Sequence, residues 1–126
     1  MARATTVPRQ ADDSAVVTKA TLRAGARLGL PNRVLARILG VSEATISRMG
    51  SGAYLLRPGD KPFELAILFL RLFRALDAIV GGDALAARRW LENENTALGA
   101  APLTLVGSVS GLVNVVGYLD ARRALI

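Results

Sequence analysis

Glu43, Ala44, Thr45, Ser47 and Arg48 carry the clearest chemistry in this sequence. They share the outer face of one short helix whose inner face holds Ile46 and Met49. Short polar groups beside one arginine suit a helix laid into the major groove of DNA, where base edges are read by hydrogen bonds and methyl contacts. Ser42 stands just before them as the helix cap, its hydroxyl able to accept a first-turn N–H. Arg33 and Arg37, one turn apart on the preceding helix, are candidates for phosphate contacts. The segment from Asn32 to Gly50, NRVLARILGVSEATISRMG, therefore reads as a helix-turn-helix. Val34, Leu35, Ile38 and Leu39 give its first helix a buried face, and Ala36 is small where the second helix crosses. Gly40 falls where the turn needs positive φ, a conformation costing other residues about 1–2 kcal/mol. Val41 then plugs the angle between the helices. An ordinary αα-hairpin does not require small residue, glycine and cap to fall in this register.

The charge distribution points the same way. The net charge is +6, and residues 1–61 hold ten Arg/Lys against four acids, while the remainder holds six of each. The whole excess lies in the half that carries the helix-turn-helix, the footprint of a nucleic-acid partner. There is no cysteine and no histidine, so a thiol nucleophile, an imidazole base, a disulfide and a typical zinc site are excluded. Carboxylates are few and scattered. We expect no catalytic residue, no metal, no cofactor and no small-molecule substrate. Residues 1–15 lack the apolar core of a secretory signal. The uncharged run 101–119 is broken by Gly107, Ser108, Ser110, Gly111, Asn114 and Gly117, too polar and short for a membrane span. A cytoplasmic protein is expected.

The elements that must position these residues are helical. Alanine, leucine and arginine dominate the composition, which favours an all-α fold. Residues 1–15 read as a flexible tail. A helix from about Thr18 to Leu28 follows, with Val17, Leu22, Ala26 and Leu28 inward. Pro31 suits the start of the next helix. After Gly50-Ser51-Gly52, a linker runs from Tyr54 to Pro62. From Phe63 to Val80 a stripe of Leu65, Leu68, Phe69, Leu72, Phe73, Leu76 and Val80 is joined by Ile67 and Leu70 on the opposite side. A helix apolar nearly all round is buried on both sides, which points to a homodimer through Ile67 and Leu70. Asp83 caps a helix running through Trp90 and Leu91. A loop then leads to an apolar turn at Leu103–Val106, and a last helix spans Ser108 to about Ala124.

The second half carries a more specific pattern: Trp90-Leu91, then Asn95, Ala97-Leu98-Gly99, Pro102-Leu103, and a glycine-containing apolar helix. Together with the helix-turn-helix, it resembles the Xre/MbcA/ParS-type antitoxins, partners of RES-domain toxins, over roughly residues 18–126. Glu94 stands beside Asn95 where the family usually carries a proline, and the last helix is more apolar than the family's. The resemblance implies residues 16–57 as a DNA-binding domain and 58–126 as a helical domain for dimerisation and toxin binding. It implies a toxin-binding face drawn from Trp90, Asn95, Leu98, Gly99, Pro102, Leu103 and Leu119, with Arg122, Arg123, Leu125 and Ile126 at the C-terminal end. Asn95 and Gly99 are expected to hold the turn that packs Pro102 and Leu103 back on the core.

The function implied is that of a type II antitoxin. It would neutralise an NAD-degrading RES toxin by direct binding, its C-terminal end approaching the toxin's active site, and bind operator DNA to repress its own operon. Two other readings use the same residues. One is a stand-alone transcriptional repressor whose second half only dimerises. The other is a polar-localisation adaptor that uses the fold to hold protein partners. A RES-fold gene next to this one separates the first reading from the second.

Overall fold

The most apolar segment, Lys61–Ile79, becomes the axis of the fold. In the computed structural model, which describes residues 2–125 and the side chains of 13–125, it is the fourth of seven helices. In order these are α1 (Ala2–Arg27), α2 (Asn32–Leu39), α3 (Glu43–Ser51), α4 (Lys61–Ile79), α5 (Ala84–Glu92), α6 (Pro102–Leu105) and α7 (Val109–Arg123). No strand occurs among the described residues, so the fold is all-α, a helix-turn-helix packed with a C-terminal helical half. None of their helices is long and apolar enough to cross a membrane.

α4 packs against α1 and α2 through one part of its surface and against α7 through another. Leu65, Ala66, Phe69, Leu70, Leu72, Ala75 and Leu76 are all buried. Leu70, expected outward for a second copy, is thus inside the chain's own core, because α1, α2 and α7 together wrap most of α4. Of the expected outward pair only Ile67 is exposed.

The first helix departs most from the sequence reading. It starts at Ala2, so the stretch expected as a loose tail is helical. From Ser14 onward the physical reason lies in its inner face. Ser14, Thr18, Thr21 and Gly25 are buried there at helical spacing, a small and polar stripe that apolar periodicity does not detect. Ala26, expected inward, is exposed, while Ala24 and Leu28 are enclosed. Thr18 also fixes the linker: its Oγ1 accepts the Leu56 N–H at 2.9 Å, and Leu56 is fully buried.

Two arginines join the halves. Arg88 of α5 donates from Nε to the Arg27 carbonyl at 3.0 Å and from Nη2 to the Ala26 carbonyl at 3.3 Å. It thereby caps the Arg27 carbonyl at the C-terminus of α1, and joins the Gly29 N–H at the Ala26 carbonyl. Arg27 reaches the other way, donating to the Gly82 carbonyl at 2.8 Å and approaching Asp77 at 3.9 Å.

Candidate functional site

The helix-turn-helix forms as its residues dictate. Leu35, Ala36, Ile38 and Leu39 bury one face of α2, and Gly40 ends it at φ +71°. The Val41 N–H then returns to the Ala36 carbonyl at 3.0 Å, closing the turn. Ser42 caps α3 by accepting the Thr45 N–H at 3.1 Å, and the two hydroxyls lie 3.0 Å apart. Thr45 is therefore half-buried with its hydroxyl tied to the cap. Glu43, Ala44, Ser47 and Arg48 are exposed together on the outer side of α3. At the other end, the Arg48 carbonyl accepts the N–H groups of Ala53 and Tyr54 and the Ser51 hydroxyl.

Arg33 and Arg37 are exposed but turn toward the C-terminal half. The Arg37 stem lies over Gly107, its Cδ only 2.7 Å from where a Cβ on that glycine would stand. Arg33 lines a cavity of about 290 Å3 together with Arg88, Glu92 and Leu103.

The second candidate surface is built on the loop after α5. Asn95 organises it alone: its Oδ1 accepts the Leu98 N–H at 3.1 Å, and its carbonyl accepts the Gly99 N–H at 2.8 Å. Its own N–H donates to Ala100, and Gly99 adopts φ +84°, the left-handed conformation that favours glycine. The chain then enters α6 with Pro102 enclosed and Leu98 and Leu103 packed at the core's edge. Ser108 caps α7 by accepting the Gly111 N–H at 3.1 Å. Gly111 lies so close to the Leu105 carbonyl that any Cβ would overlap it.

From the end of α5 an aromatic ladder crosses to α7 and continues along it. The Trp90 and Tyr118 rings stack with centroids 6.2 Å apart and planes 20° from parallel. Arg122 follows one turn later, its Cζ 5.8 Å from the Tyr118 centroid and its Nη1 donating to the Tyr118 hydroxyl at 3.0 Å. Arg123 and Leu125 are exposed beside it, Leu125 to 83%. Ile126 lies outside the described residues. Leu119, expected on the partner face, is instead in the core at 1% exposure. It falls with Leu112, Val115 and Val116 on the side of α7 that faces inward. Tyr118 was missed by sequence reasoning, although its spacing of four from Arg122 was there to read. Arg88 was missed too, since its capping partners lie about sixty residues away.

No cluster of acids that could hold a metal ion occurs among the described residues. What both surfaces offer is shape: a polar helix on one half, and on the other a braced loop with an arginine at its edge. Family models match along nearly the whole chain. Residues 8–71 match the antitoxin Xre-like helix-turn-helix domain, and residues 75–124 match the antitoxin Xre/MbcA/ParS C-terminal toxin-binding domain. No curated protein matches the chain. The chain belongs to the Xre/MbcA/ParS-type antitoxins, joining a DNA-binding helix-turn-helix to a toxin-binding half.

Proposed function

We propose that this antitoxin neutralises a RES-domain toxin that degrades NAD, and that as a cytoplasmic homodimer it represses its own operon. The observation that carries the reading is the Trp90–Tyr118–Arg122 ladder, which holds one arginine in a set position beside the exposed Arg123 and Leu125. A guanidinium held this way loses less conformational freedom on binding and offers planar, paired donors to carboxylates on a toxin. The loop from Asn95 to Leu103 supplies a rigid neighbouring surface. Support for the homodimer comes from exposed apolar side chains, Ile67 on α4 and Val109 and Val113 on α7. Two bound half-sites are what a helix-turn-helix repressor ordinarily needs.

The test is co-expression with a RES-domain toxin, reading growth and cellular NAD, alongside a reporter driven by the chain's own upstream region. Restored growth with preserved NAD, and a silenced reporter, are expected. Continued arrest and NAD loss in cells that contain folded antitoxin would overturn the toxin assignment.

A further inference from the structure

Four basic residues of the first half already have an occupation. Arg27 serves Gly82 and Asp77, and Arg57 pairs with Asp60 at 3.5 Å. Arg33 and Arg37 face the C-terminal half. Lys19 and Arg23 differ. They stand one turn apart on the exposed side of α1, and among the described residues neither pairs with a carboxylate. Both line an open groove of about 510 Å3 whose opposite wall is the end of α3: Met49, Gly50, Ser51 and Gly52. Ser51 lies seven residues beyond Ala44, hence on the same outer face of α3 as the exposed Ala44 and Ser47. The two cations thus flank the surface that enters the groove of DNA.

We infer that Lys19 and Arg23 form the phosphate clamp that seats α3 on duplex DNA, in place of Arg33 and Arg37. This rests on the helix-turn-helix binding DNA. The spacing fits a single strand: four residues separate the two charges by about 6 Å along α1, so both can lie against phosphates of one strand. Arg48 reads bases, whereas these two residues fix register and carry no sequence preference.

The experiment measures affinity of the full chain against salt, by fluorescence anisotropy, for a duplex from its own upstream region and for an unrelated duplex. The pairs K19A/R23A and R33A/R37A are compared with the parent, with circular dichroism to verify folding. Each phosphate contact contributes about 0.9 to the slope of log affinity on log salt. K19A/R23A should therefore weaken both duplexes and cut the affinity lost between about 50 and 200 mM salt by roughly tenfold. R33A/R37A should keep the parental slope. A retained slope in K19A/R23A, or a fall as large in R33A/R37A, overturns the assignment. If the parent binds neither duplex at low salt, the DNA-binding reading itself fails, and the clamp with it.

Discussion

Arg88 of α5 caps the C-terminus of α1 at the carbonyl of Arg27, and Arg27 in turn caps the turn after α4 at Gly82. Each arginine thus belongs to one half of the chain and completes a helix end in the other. Because the guanidinium fork reaches two carbonyls at once, lysine is no substitute. Arg88→Ala should cost about 1 kcal/mol in chemical denaturation, and Arg88→Lys should recover little of it.

Two glycines of α7 make a matched pair. Alanine at Gly111 would drive its Cβ into the Leu105 backbone, where nothing flexible can yield. We expect Gly111→Ala to lose more than about 3 kcal/mol, as a backbone collision in the core does. Gly117 is exposed, and a Cβ there meets nothing. Gly117→Ala should stabilise the helix by about 0.5–1 kcal/mol. Thermal melting of both variants checks the pair.

The buried threonines of α1 should respond in opposite directions. Thr18→Val orphans the Leu56 N–H and should cost about 1–3 kcal/mol. The Thr21 Oγ1 is buried without a partner, so Thr21→Val should be neutral or stabilising in the same denaturation measurement.

On α3, Arg48→Ala should weaken specific DNA binding by about 1–3 kcal/mol while leaving the melting temperature unchanged. Thr45→Ala should do the reverse, lowering stability by a few tenths to about 1 kcal/mol through the weakened cap, with base preference intact. Competition assays with point-mutated duplexes distinguish the two.

Deleting residues 121–126 removes Arg122 and Arg123 but none of the inward side chains of α7, the last of which is Leu119. The truncated protein should fold and bind DNA yet fail to protect cells from the toxin. Tyr118→Phe, which keeps the stack and removes the hydroxyl that Arg122 meets, should weaken protection only in part. If the truncated protein still preserves cellular NAD, neutralisation rests on the loop from Asn95 to Leu103.

The helix-turn-helix was legible because its signals are local: Gly40, Ser42 and the apolar spacing of α2 all act within a few residues of themselves. So was the Asn95 loop, whose hydrogen bonds span three to five positions. The inward face of α1 was not, since Ser14, Thr18 and Thr21 look like solvent-facing residues until distant parts of the chain enclose them, as Leu56 does when it bonds to Thr18. Leu70 and Leu119 were misplaced for a related reason. Apolar periodicity shows that a helix is buried, but which side its own chain covers depends on partners far away in sequence.

The span between the two family matches, 71 to 75, falls within α4. Phe69 before it, Leu72 within it and Leu76 after it are buried in one continuous core. The two activities are therefore not modules that can be exchanged by cutting and joining between them. A hybrid with a foreign toxin-binding half must import α4 entire, together with the faces of α1 and α2 that receive it.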